Sequence, residues 1–503
     1  MKKLLLTCLA SLSLLLLFAC SSKTSSDKPK IVTTFYPVYE FTQKIVGNEA
    51  DVELLIEAGT EVHDFEPSAK DIAIIEEADS FIYANENMET WVPDLKENLA
   101  DSKSQTQLIS ATKGMLLLPG SEEGHDHGKG DDHDHAYDPH VWVSPYRAIQ
   151  MVQTLKDSLI KQYPSHKDSF EKNATAYIKK LEALDKTYKD SLSQAKQKSF
   201  VTQHAAFTYL ALDYGLNQVS VSGLTPDSEP SASRLTELTQ YIKNNGIKYI
   251  YFEETASSAV AESLAAETGV KTAVLNPLES QTKKSKEQGE DYISLMESNL
   301  KALKLTTDQD GKDVLPEKGE ESKKTVYNGY FQDSDIRDRS LNDWTGQWQS
   351  VYPYLLDGTF DQVWDYKAKA KGASKTAEEY KAYYTTGYKT DVEAINITDK
   401  TMTFIVNGKE HKYTYKYVGY KILTYEKGNR GVRFLFEAQE KDAGNYKYVQ
   451  FSDHAIAPNK AGHFHIYFGG SSQEALLEEL ENWPTYYPKE MTGLDIAQEM
   501  LAH

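Results

Sequence analysis

Cysteine is almost absent from this 503-residue chain: the two present, Cys8 and Cys20, both fall within the first twenty residues. Neither a disulfide framework nor a thiolate metal site can therefore be built in the body of the protein. A basic surface is also missing, because 75 Asp and Glu outweigh 55 Lys and Arg and leave a formal net charge of −20. That balance excludes nucleic acid and anionic lipid as principal partners and makes cations the natural ligands. The long apolar run is confined to residues 4–18, behind Lys2 and Lys3; it is too short to span a bilayer comfortably and reads as a secretory h-region. HExxH and GxSxG do not occur. Hydrophobic residues at 40% and charged residues at 26% nevertheless exclude wholesale disorder, and the length calls for about three compact units.

What is present is histidine in a telling pattern. In DHAIAPNKAGHFHIYF, residues 453–468, His463 and His465 alternate along a strand and so share one face, while a turn at residues 458–462 returns His454. Three imidazoles suit zinc with a fourth position left open. An isolated HxH pair more often means two half-buried strand residues, so the weight rests on the other histidines.

From residue 31 to about 305, short apolar runs such as IVTTFYP, DVELLI, SFVTQ, NQVSVSG, IKYIYFEE and KTAVLN alternate with amphipathic stretches. This is the signature of βα units on parallel sheets, and a gap divides them into two α/β lobes. In the gap Phe170, Ala174, Tyr177, Leu181, Leu184, Tyr188 and Leu192 recur at three- and four-residue steps, which predicts one long rigid helix joining the lobes. Residues 306–324 are polar and read as a linker. Beyond it a Trp-rich stretch, SLNDWTGQWQSVYPYLLDGTFDQVWDY, reads as helical, and TMTFIV and EHKYTYKY form a hairpin through Asn407-Gly408. Further strands are expected at about 420–426, 431–438 and 445–453. The domain at 325–503 is therefore expected to be an antiparallel β-barrel whose last long strand carries the HxH pair, before a closing helix at about 473–482.

Four more ligand-type residues stand where strands end. His63 in GTEVHDFEPSAKD, His140 in YDPHVWVSP, His204 after SFVTQ and Glu279 after TAVLN all occupy the carboxyl-end loops where open α/β sheets bind ligands. Any one of them alone reads as a surface residue; four across two lobes do not. Residues 120–136 add His125, His127, His133 and His135 among Asp and Gly, either a solvated acidic insertion or a weak metal-collecting loop.

GTEVHDFEPSAKD, DPHVWVSP, QHAAFTYLALDYGL, EPSASRL and LNPLE resemble the cluster A-I metal-binding lipoproteins that feed ABC transporters, over nearly all of residues 31–305. The resemblance implies an ion held between the lobes by His63, His140, His204 and Glu279; three imidazoles and one carboxylate favour zinc over manganese. WTGQWQSVYPYLLDGTFDQVWDY and FSDHAIAPNKAGHFHIYFGG resemble the calycin-like, lipocalin-related ZinT domains, which implies His454, His463 and His465 as a second set of zinc ligands. LFAC, ending at Cys20, resembles a bacterial lipobox, which implies a signal peptide at 1–19, a lipid anchor on Cys20 and a tether at 20–30. The combination is similar to the AdcA-type zinc-acquisition lipoproteins. The family implies extracytoplasmic Zn²⁺ capture at two principal sites, delivery to a permease driven by an ATPase, a location on the outer face of the cell membrane and no enzymatic activity. Without a dimerisation signal, a monomer is expected. The alternatives are a zinc hydrolase using the open three-histidine site, or an adhesin or lipocalin-like binding protein.

Overall fold

Strands β1 (Lys30–Thr33), β2 (Asp51–Leu54), β3 (Ser80–Tyr83) and β4 (Gln107–Ser110) pair in parallel in the order β2-β1-β3-β4. The chain repeats that order with β5 (Ser199–Thr202), β6 (Asn217–Ser220), β7 (Tyr249–Phe252) and β8 (Lys271–Val274), as β6-β5-β7-β8. β3 and β5 are buried at every residue, as parallel strands covered on both faces must be. In each sheet the chain leaves the first strand on one side and returns on the other, which opens a crevice at the carboxyl ends. This computed structural model describes residues 28–120, 137–226, 230–254, 258–312, 324–425 and 428–502; Cys20 and the leader, and His125, His127, His133 and His135, lie outside them.

Between the lobes run α1 (Pro145–Gln162) and α2 (Lys167–Leu192), packed against each other. The buried side chains of α2 are Phe170, Ala174, Tyr177, Leu181, Leu184, Tyr188 and Leu192, the seven that the periodicity singled out. Its 26 residues span about 39 Å. The helix Tyr292–Thr307 continues two residues into the stretch read as a linker.

The C-terminal part is a closed antiparallel barrel of eight strands. In chain order they are β9 (Gly346–Ser350), β10 (Ala394–Ile397), β11 (Thr401–Val406), β12 (Lys409–Thr424), β13 (Arg430–Ala438), β14 (Tyr448–Ser452), β15 (Phe464–Gly469) and β16 (Thr485–Pro488). Asn407 and Gly408 both take positive φ, 49° and 70°, as a type I′ hairpin requires. Three details differ from expectation. The closing helix expected at about 473–482 is confined to Gln473–Leu477, and the short strand β16 follows it and completes the barrel. GQWQS is not helical but forms β9, held on one side by β10 and on the other by β16; the Trp-rich stretch is helical only before it, in a 3-10 turn at Leu341–Trp344, and after it, at Tyr352–Leu356 and α3 (Asp361–Lys369). The strands expected at EHKYTYKY and 420–426 are one, β12, because a bulge between Tyr417 and Gly419, with Gly419 at φ 118°, breaks the alternation in the middle.

The barrel domain docks on the first lobe through α3 and α4 (Gly493–Ala502), which seat residues 114–118. Gln362 accepts from the Leu116 N–H at 3.1 Å and donates to the Gly114 carbonyl at 2.7 Å. Gln498 does the same at Leu117, accepting from its N–H at 2.8 Å and donating to its carbonyl at 2.6 Å. Beside them the Arg147 guanidinium lies within 2.8 Å of Asp213 and 3.2 Å of Asp365, while Lys369 reaches Asp213 at 2.9 Å. One buried cluster runs from Leu116 and Trp142 through Trp364 to Ile496, so a single apolar core crosses the junction. Among the described residues no helix is long and apolar enough to cross a membrane.

Candidate metal centres

His63 lies between β2 and the helix Ala69–Glu76, which starts at the Ser68–Asp71 capping box. His140 follows β4, its backbone N–H tied to Asp138 Oδ1 at 2.9 Å. His204 stands just beyond β5, where its carbonyl accepts from Thr202 Oγ1 at 2.7 Å and Gln218 Nε2 at 2.9 Å. Glu279 follows β8 and is preceded by Leu278 in the left-handed region at φ 60°. Two ligand-type side chains thus come from each lobe, and they meet at a buried point between them.

The Nε2 atom of His140 is 3.2 Å from that of His63 and 3.4 Å from that of His204. Glu279 Oε1 lies 3.5, 3.3 and 3.4 Å from the Nε2 atoms of His63, His140 and His204. Bonds of about 2.0–2.1 Å to a tetrahedral ion require ligand atoms about 3.3–3.4 Å apart, so these are tetrahedron edges of the right length. The tautomers agree. His140 Nδ1 faces Asp138 Oδ1 at 2.7 Å and His204 Nδ1 faces Glu253, so both rings give their proton to a carboxylate and turn lone pairs toward one point. Glu279 Oε1 is buried there and accepts no hydrogen bond. Lone pairs facing lone pairs and a carboxylate oxygen repel one another unless a proton or a metal ion sits among them.

Burial by itself would lower the proton affinity of both rings, yet Asp138 and Glu279 raise His140, and Glu253 with Glu279 pushes His204 up to about 10. Burial likewise opposes charge on Glu279, but His63, His140 and His204 hold it well below the usual carboxylate range. Glu61 is a further carboxylate beside the group, raised by burial and by the charge of Glu279.

The second group lies at the rim of the barrel. His454, His463 and His465 offer ligand atoms all within 4.8 Å of one another, with no carboxylate among them. His465 Nδ1 is 2.7 Å from Thr485 Oγ1, whose own proton goes to the Trp483 carbonyl at 3.0 Å; the ring must donate there, which leaves Nε2 for a metal. His463 stacks on Tyr487 at 5.0 Å and His454 on Tyr327 at 4.3 Å. His454 sits at φ 62°, unusual for a residue with a side chain, and its predecessor Asp453 is clamped by Arg339 at 2.6 Å. Burial, then the charges of His454 and Arg433, push His465 down to about 3.

Residues 31–305 match the sequence model of the zinc-uptake complex component A, periplasmic, and residues 322–503 that of ZinT (YodA), periplasmic lipocalin-like zinc-recruitment. The chain is 64% identical to the zinc-binding lipoprotein AdcA of Streptococcus pneumoniae serotype 4, with all of both chains covered. The chain belongs to the AdcA family. It is also 58% identical to the zinc-binding protein AdcA of Streptococcus pyogenes serotype M18, over 95% of each chain. The crystal structure of Zn(II)-bound AdcA from Streptococcus pneumoniae superposes with a TM-score of 0.87 at 64% identity, covering 95% of this chain and all of that one. AdcA membership accounts for both halves at once, the ZnuA-like lobes and the ZinT-like barrel.

All seven ligand-type residues singled out among the described positions therefore fall into two groups, four between the lobes and three on the barrel. Sequence reasoning missed the residues behind them. Asp138 was visible as the Asp of DPH, and Glu253 in YIYFEE follows β7 as His204 follows β5, so the strand-end rule that singled out the clustered residues could have found it. Thr485 gives no signal at all.

Proposed function

We propose that this protein captures Zn²⁺ outside the cytoplasm and delivers it to an ABC permease, with His63, His140, His204 and Glu279 holding the ion for delivery. The observation that carries the reading is the set of five ligand-to-ligand distances between 3.2 and 3.5 Å, which suit a four-coordinate zinc. The barrel histidines His454, His463 and His465 form an auxiliary site that is more open and exchanges more readily. A lipid on Cys20 tethers the protein, a cytoplasmic ATPase drives the permease, and the carrier works as a monomer. His125, His127, His133 and His135 gather zinc weakly beside the main site.

The test is a zinc titration of the chain beginning after Cys20 against a competing chelator, with His204→Ala and His463→Ala. Two high-affinity steps are expected, one removed by each substitution; a single step indifferent to His463→Ala would reduce the barrel histidines to structural residues. In this reading the protein is a carrier and not an enzyme, so hydrolysis of p-nitrophenyl acetate by the zinc-loaded sample should not change with His463→Ala.

A further inference from the structure

The three barrel histidines share a cavity of about 300 Å³ with Lys367, which projects from α3. Lys367 is partly buried, yet among the described residues no carboxylate or hydrogen-bond acceptor meets its ammonium, and burial alone lowers its proton affinity. Two residues on, Lys369 has both Asp213 and Asp365 within 3.0 Å, so α3 does not lack acids to pair with. The one left without is the lysine that faces the metal group.

The charge around the site is also lopsided. Zinc on three neutral imidazoles keeps its full double charge. Arg433 lines the adjoining cavity with His454 and His465 and donates to neutral acceptors, Gln450 Oε1 at 3.3 Å and the Glu479 carbonyl at 2.7 Å, with the Glu479 carboxylate near. On the acidic side, Asp453 is matched by Arg339, and Glu499 lines the cavity beyond His463. Positive charge stays in excess in a half-buried space, which is unfavourable unless an anion joins it.

Building on the three-histidine site proposed above, we infer that the barrel takes up zinc together with a small oxyanion, one oxygen filling the fourth position on the metal and another held by the Lys367 ammonium. An ammonium-to-oxyanion contact is charge-assisted, and the cavity has room for an acetate- or sulfate-sized ligand. Linkage then makes the pairing reciprocal: the anion tightens zinc binding by the factor by which zinc tightens anion binding. Loss of the anion vacates a coordination place through which an incoming ligand can draw the ion away.

Full-length protein after Cys20, with His63→Ala and His140→Ala to silence the site between the lobes, is loaded with Co²⁺ and its visible spectrum followed. Sodium acetate and sodium sulfate are titrated in at ionic strength fixed with sodium perchlorate. A saturable change in the cobalt bands is expected, weakened about tenfold or more by Lys367→Met or Lys367→Gln and retained within about threefold by Lys367→Arg. A spectrum indifferent to both anions, or equal anion affinity in Lys367→Met, overturns the inference while leaving the three-histidine site standing. No cobalt spectrum at all sinks that site and this inference with it.

Discussion

Glu253 touches no ion in this arrangement, yet its carboxylate fixes which nitrogen His204 presents and strengthens that ring as a donor. Replacing it with Gln keeps the shape and removes the charge. Zinc affinity at the site between the lobes should fall about ten- to a hundredfold in Glu253→Gln, with the barrel site unaltered. Chelator competition on the full chain measures both, and equal affinity in the variant would mean that Glu253 is only a buried packing residue. At this scale the four clustered side chains were legible because histidines at the ends of β5 and in the loops after β2 and β4 fall where α/β sheets bind. Lys367 and Tyr327 were not, because their importance comes from what the folded barrel brings beside them, and nothing in their local sequence encodes it.

Among elements, β1 and β3 are tied at their carboxyl ends by Glu89, which accepts from Thr34 Oγ1 at 2.6 Å and from the N–H groups of Ala84 and Asn85 at 2.9 and 3.0 Å. Burial outweighs those bonds and pushes Glu89 up to about 7. The folded chain therefore keeps this proton where the unfolded chain has lost it. Below pH 4.5 the group costs nothing; as pH rises to 7 stability falls, by about 3 kcal/mol in all, and stays lower above. Glu89→Gln keeps the acceptor for Thr34 and Ala84, loses the one for Asn85, and should flatten that slope. Denaturation of metal-free protein at pH 5 and pH 8 gives the difference; a variant whose deficit is the same at both values would show that Glu89 does not titrate there. The elements themselves were legible where an apolar run or a regular period marked them. α2 declared all seven of its buried residues, whereas β9 and β16, five and four residues long, are too short to show alternation. In β12 the Gly419 bulge reset the phase and made one strand read as two.

For the whole molecule, one apolar core crosses the junction, so the placement of the two histidine groups relative to each other is set by docking. Gln362→Ala with Gln498→Ala removes four hydrogen bonds to residues 114–117, about 2–4 kcal/mol of junction stability. Amide hydrogen exchange at Leu116 and Leu117 should quicken in the double variant, while each histidine group keeps its own zinc affinity. Unchanged exchange would assign the junction to the Arg147 network and the apolar core alone. The two-part architecture was readable from two separate sets of motifs, but the docking was not, since carboxamides meeting main-chain groups leave no mark in a sequence.

That same seat has an evolutionary side. Gln362 and Gln498 address the peptide backbone of residues 114–117 as a neighbouring strand would, and the side chains there need only be apolar, as Leu116 and Leu117 are. A junction that checks so little is forgiving: Leu116 and Leu117 can be exchanged for other apolar side chains, and the two halves will still meet at the same angle.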